Sequence, residues 1–220
     1  FEDHISIVGE DAHHIARSLR MAVGEQITVC DREGKEYLCT ISAFDDDKEV
    51  VADIVSSAKS ENEPKIYIRL FQALPKGDKL DTIIQKAVEC GASEIIPFQS
   101  DRCVVRIKDA SEDRKNERRR TIATEAAKQC RRSLVPEVSA AVSFDNAIDL
   151  AAKSDLCLFC YEGEGTRPLG EILRSCDALP RSVSIIIGSE GGFSEAEAEA
   201  ARAKGLAEAE AMEKKPRSLG

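Results

Sequence analysis

The sequence predicts an α/β protein: a mainly parallel sheet with helices on both faces, preceded by a small β-barrel. Three observations carry this. Short β-type runs crowd the first 55 residues, and a polar stretch closed by Pro64 follows at 56–64. Beyond it, apolar runs of strand length alternate with helical stripes, the order that builds a parallel sheet covered by helices. The boundaries expected are 1–60 for the barrel and 65–220 for the α/β part.

The first part has strand patterns at Gln26–Cys30, Glu36–Ile41 and Glu49–Val55, separated by turn signals at 31–34 and 45–47. A short helix is expected over 11–20, with Asp11 as its cap. Strands this short at this spacing suggest a barrel. In the second part, Ile66–Leu74 reads as a strand. Leu80, Ile83, Ile84, Ala87 and Val88 form a helical stripe that Gly91 ends. A short strand is expected at 94–98 and a long basic helix at 113–132. The runs at 156–160 and 183–187 are apolar enough for central strands buried on both faces. Ser194-Glu-Ala-Glu197 has the spacing of a capping box and opens a helix. A last short strand is expected at 209–212.

Composition narrows the function classes. The 220 residues suffice for one large or two small domains. No apolar run approaches the roughly 20 residues of a membrane span, and a cytoplasmic location is expected. Eight cysteines in a chain this long do not read as a disulfide framework. Cys157 and Cys160 form a C-x-x-C, but no second pair or Cys/His cluster completes a four-ligand site. They read as reduced core thiols, and no metal is expected. The His13–His14 pair reads as a barrel residue pair rather than a proton carrier.

The net charge is −9, yet 102–132 holds eleven Lys or Arg against five Asp or Glu. A basic segment in an acidic chain suggests a localised anion-binding face. Arg118–Arg120 reads as a solvated helix face. Ile185–Ser194, IIIGSEGGFS, ends an apolar run in three glycines and leads straight into a helix. The spacing is neither G-x-G-x-x-G nor a Walker loop. A turn after a central strand and before a capped helix is where open α/β sheets bind ligands.

Five segments occur in order: 13–21, 76–98, 101–105, 125–132 and 185–194. Together they resemble the bacterial 16S ribosomal RNA uridine-N3 methyltransferases, the RsmE-like family of the SPOUT class. The first segment resembles that family's PUA-like barrel. The resemblance implies a homodimer of knotted α/β domains that bind S-adenosyl-L-methionine and methylate N3 of a uridine in 16S ribosomal RNA or the small ribosomal subunit. A non-catalytic RNA-binding or assembly module and a SPOUT enzyme for another RNA are the alternatives.

The cofactor residues it implies are Gly188, Glu190, Gly191 and Gly192, with Leu158 and Tyr161 from the preceding central strand and Leu219 and Gly220. Side chains at the glycines are expected to collide with the cofactor, so that Gly191→Val costs binding rather than folding. Glu190 is alternatively a stabiliser of the helix that follows. The RNA-binding set is Arg17, Arg20, Arg102, Arg106, Arg131 and Arg132. No general base is identified; Arg102 and Arg132 are the catalytic candidates. The family has Pro where this chain has Ser189. It also continues past Ser218-Leu-Gly220 with an arginine-rich segment that enters the knot, so part of the cofactor site is expected to be missing from this sequence.

Overall fold

The computed structural model describes residues 3–31, 34–45, 48–107, 109–163 and 165–210. The turn positions 32–33 and 46–47, the end of the last expected strand at 211–212, Leu219, Gly220 and the knot itself lie outside them. The chain forms two compact units: Phe1–Glu63 with Arg131–Leu134, and Pro64–Cys130 with Val135–Gly220. The sequence reading had put 131–134 with the α/β part; their contacts put them with the small unit.

In the small unit, β1 (His4–Val8), β2 (Gln26–Cys30), β3 (Lys35–Asp45) and β4 (Glu49–Lys59) form an antiparallel sheet in the order β1-β4-β3-β2. Among the described residues β1 and β2 do not pair. Ala12, Ile41 and Val50 form its small core, with Ile7, Ile15, Met21, Ile27 and Phe44 against it. The expected helix begins as α1 (Glu10–His13) and continues as one π-turn over His14–Ser18. Its N-cap is Gly9 at φ 71°, not Asp11, which sits inside the first turn.

The added segment is held by one carboxylate. Glu63 Oε2 accepts from Arg132 Nε at 3.1 Å and Nη2 at 2.8 Å, and Oε1 accepts from Leu134 N at 2.9 Å and Ser133 Oγ at 3.3 Å. The Arg132 side chain is 5% exposed. Asn62 Nδ2 donates to the Arg131 carbonyl at 3.1 Å.

In the second unit, β5 (Tyr67–Ala73), β6 (Glu94–Gln99), β7 (Glu137–Val138), β9 (Leu156–Tyr161), β10 (Ser182–Ile187) and β11 (Ala207–Glu210) form a sheet in the order β11-β9-β10-β5-β6-β7, and β8 (Val142–Ser143) also pairs with β6. Every pairing is parallel. The connections supply α2 (Lys79–Glu89), α3 (Asp109–Gln129), α4 (Phe144–Ala151), α5 (Leu169–Arg174) and α6 (Glu195–Ala203).

Strand alternation assigns the two faces. Phe71, Ile96, Ile186 and Phe159 are in register across the middle of the sheet, and Phe144 of α4 and Phe193 pack on them. Leu158 and Val183 point the other way and meet Ile172 of α5. Helices therefore cover both faces, which is why the central strands read as continuous apolar runs. The α2 stripe buries Leu80, Ile84 and Val88. Gly91 ends that helix at φ 93°, where an added Cβ would lie 2.6 Å from Pro64. No helix among the described residues is long and apolar enough to cross a membrane.

The Glu63 carboxylate makes the small unit sensitive to acid. Burial pushes its pKa up, but the bonds from Arg132, Leu134 N–H and Ser133, with the Arg132 charge, outweigh burial and hold it below the ordinary value. A depressed carboxyl contributes stability that is complete above its unfolded pKa of about 4.3 and is lost as pH falls through the lower folded value. Glu63→Gln is expected to cost about 1–3 kcal/mol at neutral pH. In chemical denaturation at pH 7, 5 and 3 the gap between variant and wild type should close below about pH 4. A gap that ignores pH would show that the charge is not what holds 131–134.

Candidate active site at the glycine turn

The parallel strands β5, β9 and β10 end together: Gln72 and Cys160 both pair with Ile187, the last residue of β10. The loops after β6 and β10 carry Arg102, Arg106, Gly188, Glu190, Gly191 and Gly192 of the residues singled out from the sequence. The turn Gly188–Gly192 is their centre. It closes with Gly192 N donating to the Ser189 carbonyl at 2.9 Å, and Gly192 takes φ 64°.

Each neighbouring loop grips this turn. Gln72, 4% exposed, donates from Nε2 to the Gly188 carbonyl at 3.1 Å. Arg102, from the loop after β6, donates from Nη1 to the Gly191 carbonyl at 3.0 Å. Glu190 accepts from Lys79 Nζ at 2.7 Å and from Lys76 N at 3.4 Å. The Lys79 bond, Glu190's own N–H and the Lys76 N–H hold its carboxyl down to about 2. Glu190 thus meets the amino end of α2, not of α6, the helix that the alternative reading had named. Next, Phe193 leaves the turn for the aromatic cluster, 4.4 Å from Phe159 and 6.3 Å from Phe98 between ring centroids.

The glycines have different reasons. A Cβ on Gly188 would lie 3.1 Å from the Phe193 ring and 3.3 Å from Gly192 Cα. A Cβ on Gly191 would lie 3.1 Å from Arg102 Cβ. At both positions the protein itself already leaves little room for a Cβ. Only Gly192 faces open space, with nothing within 4 Å.

The capping box of α6 extends the grip. Ser194 Oγ accepts from Glu197 N at 3.2 Å, and Glu197 Oε2 accepts from Ser194 N at 2.9 Å. Glu197 Oε1 accepts from Asp101 N at 2.9 Å, and Ser194 Oγ donates to Asp101 Oδ2 at 2.8 Å. The sequence showed the capping box; the bonds to Asp101 link residues 93 or more positions apart, and no local pattern encodes them.

The other candidates scatter. Tyr161 lies one position past the Cys160–Ile187 pair, and its ring is 5.9 Å from Phe159. Leu158 is 5% exposed and packs with Ile172 and Val183, a core role. Arg106 is exposed and donates to the Asp101 carbonyl at 3.2 Å. Arg17, Arg20, Arg131 and Arg132 belong to the small unit. Arg17, Arg20 and Arg131 are exposed there, the last two at φ 54° and 57°. The Arg132 guanidinium is buried and donates through Nε and Nη2 to Glu63.

Arg118–Arg120 is not a simple solvated face either. Arg118 pairs with Asp81 at 2.5 Å, and Arg120 Nε donates to the Val138 carbonyl. Arg119, 7% exposed, pairs with Glu112 at 2.5 Å. All eight cysteines are free thiols. Burial pushes those of Cys157 and Cys160 up, away from the reactive thiolate.

An open depression of about 430 Å³ lies at the amino ends of β9 and β10, lined by Asp155, Leu156 and Arg181 among others. It is at the opposite end of the sheet from the turn. Asp155 there accepts from the N–H groups of Arg181 and Ser182, which hold its carboxyl below the ordinary range.

Ser189 Oγ is buried in the turn, without a hydrogen-bond partner among the described residues. The cations beside it are engaged: Lys79 with Glu190, and Arg102 through one donor with Gly191. Gly191→Val is now expected to cost about 1–3 kcal/mol of stability by pushing on Arg102, in addition to any loss of ligand. Denaturation of the variant beside wild type measures it, and unchanged stability would show that the contact yields freely.

Family models and relatives agree on what the chain is. A family model described as an RNA methyltransferase domain matches residues 61–210, and one described as an RNA methyltransferase PUA domain matches 7–55. Ribosomal RNA small subunit methyltransferase E of Bacillus subtilis is 40% identical over 88% of this chain and 77% of its own length. The Synechocystis protein of the same name is 28% identical over 93% of this chain and 65% of its own, so the chain spans about two thirds of that relative. A Legionella pneumophila structure, described as a methyltransferase in complex with the cofactor SAM, aligns with TM-score 0.80 at 29% identity, covering 98% of this chain and 85% of its own. Ribosomal RNA small subunit methyltransferase E of Neisseria gonorrhoeae, bound to S-adenosyl methionine, aligns with TM-score 0.80 at 26% identity over 97% and 86%. The chain belongs to the ribosomal RNA small subunit methyltransferase E family: an RNA methyltransferase domain preceded by a PUA domain.

Proposed function

We propose that this chain methylates N3 of a uridine in 16S ribosomal RNA, with S-adenosyl-L-methionine as methyl donor, working as a homodimer in the cytoplasm on the RNA or the small ribosomal subunit. The observation that carries this reading is the turn after β10, gripped by Arg102 of the basic loop. It joins a main-chain ligand surface to a cation that faces solvent.

The bound sulfonium supplies an electrophilic methyl group. The main chain of Ser189–Gly192 holds the donor, with the space beside Gly192 open to it and the Ser189 hydroxyl within the turn. Arg102 has five N–H donors, of which one is committed to Gly191. The others orient the uridine through its carbonyl oxygens and stabilise the negative charge that grows on them as the N3 proton passes to solvent water. Lowering the cost of that anion lets water serve as the proton acceptor in place of a dedicated base. The three histidines, His4, His13 and His14, are all in the small unit. Glu190, held near 2, is too weak a base. Arg106, Arg17, Arg20 and Arg131 supply phosphate contacts.

The test is direct. The full-length protein is incubated with isotopically labelled S-adenosyl-L-methionine and with 16S RNA or small subunits from cells lacking the activity. The RNA is then digested and its methylated nucleoside located by mass spectrometry. One N3-methyluridine is expected. Label on another nucleoside would overturn the assignment of base, and no label on either substrate would favour a binding module.

A further inference from the structure

Glu197 is an acidic residue 5% exposed to solvent, in the first turn of α6. Its role as a capping residue explains only one of its oxygens. Oε2 accepts from Ser194 N at 2.9 Å within its own helix turn, while Oε1 accepts from Asp101 N at 2.9 Å, across to the loop after β6. Ser194 Oγ strengthens the same crossing by donating to Asp101 Oδ2 at 2.8 Å. Both the side chain and the main chain of Asp101 are thereby tied to the residues that follow the glycine turn.

The residue after Asp101 is Arg102, which meets the glycine turn itself. Its Nη1 bonds the Gly191 carbonyl at 3.0 Å, and its Cβ lies 3.1 Å from where a Gly191 Cβ would be. Arg106 closes back on the Asp101 carbonyl at 3.2 Å. The loop and the turn are thus fastened at two adjacent points, a carboxylate clasp at Asp101 and a guanidinium at Arg102. A clasp one residue away fixes the direction in which the Arg102 side chain leaves the backbone.

We propose that Glu197 is a positioning residue for methyl transfer, acting through Asp101 to aim the Arg102 guanidinium at the glycine turn. The inference rests on the reading that Arg102 serves the reaction. Glu197→Gln keeps the size of the side chain and one acceptor oxygen. It replaces the other with an NH2 group, which cannot accept from an N–H. One side of the clasp must open.

The experiment is a double-mutant cycle on the full-length protein: Glu197→Gln, Arg102→Ala and both together, measured by methyl transfer to 16S RNA with kcat and KM separated. Amide hydrogen exchange at Asp101 and thermal unfolding are read alongside. If Glu197 acts through Arg102, Glu197→Gln lowers kcat about 10-fold or more with little change in KM, and the double variant is no worse than Arg102→Ala alone. Exchange at Asp101 quickens at least 10-fold while the melting temperature shifts by only a few degrees. Losses that multiply in the double variant would overturn the proposal, as would an Arg102→Ala variant of full activity. Unchanged exchange at Asp101 in both Glu197→Gln and Glu197→Ala, the latter removing both acceptors, would overturn it without reference to activity. If the wild type methylates nothing, the functional reading fails, and the exchange measurement still decides whether the clasp holds the loop.

Discussion

The bond from Arg102 to the Gly191 carbonyl is the point on which the site depends. A turn of small residues after a central strand has little to keep it in one shape, since glycine surrenders more backbone entropy on ordering than any other residue. Here the turn is bonded on the Gly188 side by Gln72, on the Gly191 side by Arg102 and through Glu190 by Lys79. Phe193, 3% exposed, anchors its exit in the aromatic cluster, and burying such a ring contributes roughly 1.5–3 kcal/mol. The β sheet brings these partners together because β5, β9 and β10 end in register. The main chain of the turn is thus held by side chains from three neighbouring elements.

The same bonds change the meaning of the basic segment. Its excess positive charge looked like an anion-binding face. Three of its arginines turn inward or sideways instead: Arg119 to Glu112, Arg118 to Asp81, Arg132 to Glu63. Much of the local charge thus stabilises the fold. Buried carboxylates at Glu63 and Glu112 need those partners, since an unpaired charge in such a place is strongly unfavourable. Arg102 and Arg106 are exposed in the loop that touches the glycine turn, so the cations beside the proposed chemistry are few and specifically placed.

The fold was legible where one pattern fills one element. The alternating α/β order, the α2 stripe ended by Gly91 and the capping box at Ser194 all correspond to elements of the structure. The runs 156–160 and 183–187 read as buried strands because both faces are covered. In the small unit β2, β3 and β4 were legible, whereas β1 at His4–Val8, whose partner is Glu49–Asp53 of β4 far along the chain, was not read. The helices α4 and α5 were not read from the sequence, being only 8 and 6 residues long. At the site, the glycine turn was conspicuous, yet the reason for Gly188 and Gly191 lay in Phe193, Gly192 and Arg102, which only the folded chain brings against them. The partners of Glu190, Glu197 and Arg132 are likewise distant in sequence, and nothing near each residue announces them.

The central claim is that the turn after β10 is the ligand surface. The most direct measurement is an amide NMR titration of the isotopically labelled full-length protein with S-adenosyl-L-methionine. The account predicts saturable shifts at Ser189–Gly192, at Tyr161 and at Arg102, with the amino-end depression around Asp155 and Arg181 unmoved. Shifts confined to that depression, with the turn silent, would contradict it.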